Sequence, residues 1–345
     1  MSNLKVHIAT ENQYALWDEF VDNSNGGTIF HKVAWLKAAE KESKTKLIPL
    51  VCLKGNEIVG ILPLFIKKIF FFNIILSPPK GCNIARLGPV IRTVYGNNYK
   101  NDSLSKKVIT EFIDFIDITF TYSLIKLTLN LSLTDIRPFI WACFKYNIYY
   151  TYSVDLTKNA DDIFSSFEGG VRTKIRKIQK PNNCKIINGK LDNLTHSMKQ
   201  MRNRYLEKGM SYGASSNYYI DIYNNFRNNI SIKTIVDKNQ PVTSLVFVHY
   251  KNCVFHWIGG INSNEFNAGV NELIQWETIK SFSGTTFKYY DMMGANTKSI
   301  SHFKSQFGPE LVSYYDVFKS NFLGKLILLL VEKPIYRWLT NIFKI

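Results

Sequence analysis

Residues 255–308 have the types and spacing best suited to chemistry. A predicted strand, residues 254–261, contains Gly259–Gly260, and a loop then reaches Ala268–Gly269, where a helix is predicted to begin. The first N–H groups of a helix have no partner within it and lie at the positive end of its dipole, so they can bind an anion. The order of strand, loop, helix and strand is typical of sites that hold an acyl-carrier phosphate. A second strand, residues 287–291, completes this order and precedes Gly294 and a predicted turn, Ser301–Lys304.

A strongly basic segment, GGVRTKIRKIQK at residues 169–180, is predicted to be a helix that Pro181 ends. Arg172, Arg176 and Lys180 recur at intervals of four residues and share one face, opposite an apolar stripe. One interpretation is a solvated face. The other is a phosphate clamp for a diphosphate or a tRNA backbone, since arginines one turn apart can form paired hydrogen bonds.

Length and charge set the broad class. A chain of 345 residues with 46% apolar composition can bury a large core and is long enough for two domains. The excess of 43 Lys and Arg over 27 Asp and Glu, a net charge of +16, favours an anionic partner such as nucleic acid, a membrane surface or a phosphorylated substrate. The five cysteines form no C-x-x-C pair, and the N-terminus lacks a signal-peptide core, so we expect a cytoplasmic protein.

Several kinds of site are not predicted. The six histidines have no metal-ligand spacing, so no metal site is expected. His249 and His256 fall in predicted strands, where a histidine of the core or its rim is the ordinary interpretation. No nucleophile elbow, Walker loop or dinucleotide fingerprint occurs, which leaves covalent catalysis by Ser or Cys unsupported.

One pattern occurs twice along the chain. Strands are predicted at residues 47–53 and 58–66 around a short turn, and again at residues 232–236 and 242–250. Helical periodicity precedes each hairpin, and a helix and strand follow each one, at 104–120 with 124–131 and at 271–283 with 287–291. The expected fold is therefore α+β, with two similar halves. The predicted divisions are 1–152, 153–320 and a basic amphipathic tail, 321–345.

These residues resemble the second half of FemAB-type acyltransferases, which are tandem GNAT-fold proteins that include peptidoglycan aminoacyltransferases and polysaccharide acetyltransferases. The resemblance depends on Gly259–Gly260, the helix segment NELIQWETIK from Asn271, the strand ending at Asp291, and Gly294 with Phe303–Lys304. It extends more weakly over residues 28–318. It implies tandem GNAT-like domains, each a largely antiparallel mixed sheet flanked by helices.

The resemblance also implies roles for individual residues. Backbone at Gly259–Gly260 would bind the acyl carbonyl. The helix start at Ala268–Gly269 and Asn271 would bind the donor phosphate, and Phe303 would contact the donor. Asp291 would orient or deprotonate the attacking amine, with a strand-end turn cap as the alternative, and Lys304 would stabilise developing charge. Acceptor phosphate would lie near Arg172 and Arg176, with Arg204 and Tyr205 extending that site.

The donor remains open between acetyl-coenzyme A, or another acyl-coenzyme A, and aminoacyl-tRNA. The loop NEFNAG, residues 264–269, has no Arg or Lys and contains Glu265, unlike the pyrophosphate loop of coenzyme A-dependent GNAT enzymes. The segment 181–210 is too short for the long helical arm of some aminoacyltransferases, which disfavours tRNA.

The expected function is N-acyl transfer to an amine of a cell-envelope glycan or of a peptidoglycan or lipid-linked precursor. The tail 321–345 would either pack on protein or contact the inner membrane surface through its basic and aromatic residues. The alternative function is a non-catalytic peripheral membrane or RNA-binding protein on a GNAT scaffold. DNA is not an expected partner.

Overall fold

The computed structural model describes residues 4–69, 72–94, 96–179, 185–207, 213–237, 240–259, 269–322 and 324. Its strands are β1 (Leu4–Ile8), β2 (Lys46–Lys54), β3 (Glu57–Ile69), β4 (Phe72–Ser77), β5 (Val90–Ile91), β6 (Leu124–Thr128), β7 (Lys145–Asp155), β8 (Lys185–Asn188), β9 (Ile230–Asp237), β10 (Gln240–Tyr250), β11 (Cys253–Gly259), β12 (Tyr289–Asp291) and β13 (Glu310–Ser320). Its α-helices are α1 (Tyr14–Asn23), α2 (Val33–Ser43), α3 (Asn98–Thr119), α4 (Arg137–Trp141), α5 (Ala160–Ser165), α6 (Gly169–Gln179), α7 (Leu191–Glu207), α8 (Ser216–Asn225), α9 (Val270–Phe282) and α10 (Lys298–Ser305).

The chain forms two compact units, one of Met1–Tyr149 with Ser313–Ile345 and the other of Tyr150–Val312. In the first unit β2, β3 and β4 pair antiparallel in sequence, and β4 then pairs parallel with β6. Helix α3 connects these two parallel strands, as a parallel pair requires a crossover. The Asn97 side chain caps α3 by accepting the Lys100 N–H at 2.8 Å.

The second unit repeats this arrangement. Strands β9, β10 and β11 pair antiparallel in sequence, β11 pairs parallel with β12, and α9 connects the parallel strands. Helix α9 is buried over most of its length, and its buried residues include the polar Glu272, Gln275 and Thr278 as well as apolar ones. Its Ile274 and Ile279 join the core of the unit with Val171 and Ile175 of α6 and Phe247 of β10.

The predicted α+β fold is confirmed, and so are both hairpins, which appear as β2–β3 and β9–β10. The structure corrects one local prediction, because the turn expected at Ser301–Lys304 is part of the helix α10. Phe303 and Phe307, four residues apart, pack on the core of the unit, and that spacing is helical.

Some predictions fall on residues that the structure does not describe. These are the loop 260–268 with Gly260 and Ala268, the end of the basic segment at Lys180, and the tail apart from Asn321, Phe322 and Gly324. Within the described residues, no helix has the length and apolar character needed to cross a membrane.

Candidate active site

The parallel strands of the second unit separate at His256. The ladder between β11 and β12 contains three residue pairs and ends where Phe255 lies opposite Asp291. Beyond that pair β11 continues beside β10 as far as Gly259, whereas β12 ends and its chain continues through Met292, Met293 and Gly294, with the Met292 N–H still bound to the Tyr152 carbonyl of β7. Within the described residues, the ladder between β11 and β12 therefore does not extend past Phe255. Beyond the end of such a ladder, a strand can offer backbone N–H groups to a ligand.

Gly259 lies at the end of β11, two residues beyond an irregularity in its pairing with β10. The register between β10 and β11 shifts at Trp257, where His256 and Ile258 lie opposite successive residues of β10. A Cβ at Gly259 would lie 2.1 Å from the Leu245 Cδ2 atom. A side chain at residue 259 would therefore require the Leu245 side chain to move.

Asp291 and Thr151 stabilise the turn that follows β12. The Asp291 carboxylate is buried, and its Oδ1 atom accepts the Thr151 hydroxyl at 2.7 Å and the Met293 N–H at 2.8 Å. The Thr151 hydroxyl oxygen in turn accepts the Gly294 N–H at 2.9 Å. Met293 and Gly294 both have positive φ, 59° and 94°, so the turn needs this support.

Lys304 stabilises the same turn from α10. Its ammonium donates hydrogen bonds to the carbonyl oxygens of Met292, Met293 and Gly294, the last two at 3.1 and 2.8 Å. An ammonium has three N–H donors, and three successive backbone carbonyls receive them. Phe303, the preceding residue, is half-buried against the core, with its ring 5.3 Å from that of Phe307.

His256 is the first residue of β11 beyond the ladder with β12, and its ring packs against aromatic rings. Its imidazole centroid is 5.7 Å from the Phe247 ring and 6.4 Å from the Tyr290 ring, and its Nδ1 atom is buried without a hydrogen-bond partner. Burial and, after it, the positive charge of Lys304 lower the pKa of His256 to about 3. The imidazole is therefore neutral at physiological pH.

Tyr290 is likewise held neutral. Burial raises its pKa, and its hydroxyl accepts a hydrogen bond from Gln275 of α9 at 2.5 Å. Asp291 is in the last pair of the β11–β12 ladder, His256 follows that pair on β11, and Lys304 binds the turn after Asp291. The place where the two strands separate is called the opening below. Sequence reasoning had not assigned a role to His256 or Thr151.

The start of α9 packs on α6. Gly269 has φ 117°, and a Cβ there would lie 2.8 Å from the Ile178 Cδ1 atom and 3.2 Å from the Lys174 Cβ atom. Lys174 forms an ion pair of 3.0 Å with Glu272, a largely buried residue in the first turn of α9. Asn271, in the same turn, is exposed. A cation and a carboxylate thus lie beside the N–H groups predicted to bind the donor phosphate.

The residues predicted for the acceptor lie on α6 and α7. Arg172 is half-buried, with its Nε atom in no hydrogen bond, and the guanidinium of Arg176 lies 5.4 Å from the centre of the Phe164 ring. Arg204 and Tyr205 lie together in the last turn of α7, where Tyr205 is exposed. No His, Cys, Asp or Glu cluster in the described part of the chain could hold a metal ion.

No protein-family model and no curated protein sequence matches the chain. Three solved structures are similar to it over most of their length. FemX is 13% identical with a TM-score of 0.69, covering 95% of this chain and 100% of its own. L-PGS from Bacillus licheniformis is 11% identical with a TM-score of 0.56, covering 94% of this chain and 96% of its own. A tandem GNAT protein from the clavulanic acid biosynthesis pathway is 9% identical with a TM-score of 0.53, covering 92% and 98%. The chain thus has the predicted tandem GNAT fold, which it shares with FemX.

Proposed function

We propose that this protein is an N-acyltransferase that transfers an acyl or aminoacyl group to an amine of a cell-envelope glycan or envelope precursor. The observation that carries the proposal is the separation of β11 and β12 at His256, beside the start of α9, in a tandem GNAT fold. The similarity to FemX and to L-PGS supports the envelope as the location of the acceptor.

The opening suits attack by an amine on an activated acyl carbon. An acyl group between the two strands would have its carbonyl oxygen near the part of β11 beyond its ladder with β12, where N–H donors can bind the oxyanion of the tetrahedral intermediate. The new bond joins the amine nitrogen to the acyl carbon. The bond to the sulfur or oxygen of the donor then breaks, and the proton lost by the amine passes to that leaving group.

We propose that Asp291 and Lys304 act by shaping the opening. Both interact with the turn Met292–Gly294, Asp291 through an N–H group and Lys304 through three carbonyls. This favours the turn-cap interpretation of Asp291 over its use as a proton acceptor.

We propose an acyl donor that carries phosphate, either acyl-coenzyme A or aminoacyl-tRNA. The description of the clavulanic acid pathway protein names AcCoA, which favours a coenzyme A thioester. Glu272 disfavours phosphate from either donor at the start of α9, because its carboxylate lies in the first turn and is only partly offset by Lys174. Phe303 on α10 and the exposed Asn271 are the described side chains best placed to reach the donor.

For the acceptor we propose a phosphate-bearing amine. The net charge of +16 supports an anionic partner, and Arg172 and Arg176 present guanidinium groups one turn apart on α6. Arg204 and Tyr205 on α7 are proposed to extend the acceptor site.

Two measurements test the proposed donor and acceptor. Acetyl-coenzyme A should raise the melting temperature if it is the donor, whereas aminoacyl-tRNA should bind with an affinity that falls as salt increases if tRNA is the donor. Mass spectra of envelope glycans and lipid-linked precursors should show one acyl or aminoacyl addition that is missing in cells without the protein. If those spectra are identical while the protein binds RNA or anionic vesicles, the chain is a non-catalytic binding protein instead.

A further inference from the structure

His256 is a half-buried residue of β11 with one buried polar atom. The Phe247 ring is tilted by 50° to the imidazole and the Tyr290 ring is stacked at 21° to it. The buried Nδ1 atom has no hydrogen-bond partner among the described residues. Burying such an atom costs roughly 1–3 kcal/mol, and a phenylalanine would fill nearly the same volume without that cost.

Burial and, after it, the positive charge of Lys304 on α10 lower the pKa of His256 and keep its imidazole neutral. The hydroxyl of Tyr290, on β12, is also neutral and accepts a hydrogen bond from Gln275 of α9. On the side of β10 the ring lies beside the apolar Phe247. A neutral imidazole has one N–H donor and one acceptor nitrogen. Because a neutral donor needs no counter-charge, it can bind a carbonyl oxygen within an apolar site, as neutral histidines do in other enzymes.

His256 lies where β11 and β12 separate, which is where the proposed function puts the acyl group. It is the first residue of β11 beyond the ladder with β12, and its Nε2 atom lies 3.1 Å from where a Cβ of Gly259 would be. The ring thus lies over the face of β11 to which a side chain at Gly259 would project, just beyond the last strand pair.

We propose that the imidazole of His256 donates its N–H to the acyl carbonyl oxygen of the donor and stabilises the oxyanion formed when the acceptor amine attacks. This inference rests on the proposed function. As the carbonyl becomes a tetrahedral oxyanion, the hydrogen bond strengthens. It relaxes when the leaving group departs and the carbonyl re-forms as an amide. The imidazole neither gains nor loses a proton overall.

Substitution of His256 separates this role from a packing role. His256→Phe should lower kcat about 10²–10³-fold, as loss of one oxyanion donor does, with KM changed less than about threefold. Its melting temperature should equal or exceed that of the wild type, because an unpartnered polar atom is removed. His256→Gln, which restores an N–H donor, should recover at least about tenfold of the lost kcat. The matched control is His249→Phe on β10, whose ring bonds to Ser231 and should leave kcat unchanged.

The kinetic result that overturns the inference is a His256→Phe variant whose kcat stays within about threefold of the wild type. A loss of kcat that follows a lowered melting temperature and is not recovered by His256→Gln also overturns it. These kinetic arms use acetyl-coenzyme A and aminoacyl-tRNA as donors, with envelope precursors as acceptors.

A second readout does not depend on turnover. S-acetonyl-coenzyme A replaces the thioester with a ketone and cannot transfer its acyl group. On its addition to the full chain, the ring ¹⁵N resonances of His256 should shift and those of His249 should not. No shift at saturating analogue overturns the role of His256 and leaves the proposed function standing. No turnover by the wild type with either donor overturns both.

Discussion

Replacement of Lys304 by methionine should destabilise the second unit without changing its core. Methionine keeps the length and apolar stem of the side chain but removes the ammonium that donates to Met292, Met293 and Gly294. A hydrogen bond from a charged donor contributes roughly 1.5–3 kcal/mol when its loss leaves a buried partner unsatisfied. Met292 is buried, whereas Met293 and Gly294 are half-buried and their carbonyls can recover water.

We therefore expect one full loss and two partial ones, or about 3 kcal/mol in the free energy of unfolding. For a unit of this size that corresponds to a fall of roughly 6–12 °C in melting temperature. The matched control is Lys298→Met in the same helix, because Lys298 is exposed and should change stability by less than about 0.5 kcal/mol.

The assay is thermal unfolding combined with hydrogen exchange of the peptide that contains Gly294. The Gly294 N–H is bound to the Thr151 hydroxyl, so its exchange reports directly on the turn. In Lys304→Met this amide should exchange faster, and in Lys298→Met it should not. A Lys304→Met protein with the wild-type melting temperature and unchanged exchange would refute the view that the ammonium holds the turn.

Three further outcomes are expected. Asp291→Ala should lose about 2–3 kcal/mol of stability because two hydrogen bonds to the Oδ1 atom are removed. Asp291→Asn keeps the accepting Oδ1 atom and should retain kcat within about threefold. A large loss of kcat in the asparagine variant would instead indicate proton transfer by Asp291. The pKa of His256 is about 3 in the folded protein and about 6.5 in the unfolded chain, so below pH 6.5 the unfolded chain binds the proton more readily. The free energy of unfolding should therefore fall by up to about 1.4 kcal/mol per pH unit as the pH falls from about 6.5 to 3. Denaturant titrations of wild type and His256→Phe should diverge over this range, and parallel curves would count against a buried neutral imidazole. Gly259→Ala should cost roughly 1–3 kcal/mol because its Cβ would meet Leu245, while Gly169→Ala, with open space around it, should be neutral or stabilising in the same melts.

Much of the second unit follows from the sequence because its signals are local. The alternation in residues 242–250 and the helical spacing in residues 271–283 predicted β10 and α9 to within two residues at each end. The helix α3 begins six residues before its predicted start at Leu104, because the Asn97 cap extends it beyond the apolar periodicity.

The parts of the site that sequence could not predict depend on contacts between distant segments. Thr151 meets Asp291 across 140 residues of sequence, and nothing local distinguishes it from any other threonine of a strand. His256 appeared to be an ordinary histidine of the core or rim, since its unpartnered nitrogen becomes evident only when the surrounding rings are in place. Lys304 was singled out by resemblance, but its three carbonyl partners depend on the turn after β12.

The proposed reaction forms an amide between an activated acyl group and an envelope amine. The most direct measurement incubates the purified full chain with isotope-labelled acetyl-coenzyme A or labelled aminoacyl-tRNA and an extract of envelope precursors, and identifies labelled products by mass spectrometry. We expect one labelled amide from one of the two donors, strongly reduced with His256→Phe and unchanged with His249→Phe. The absence of a labelled amide from either donor, with a folded wild-type protein, would contradict the proposed acyl transfer.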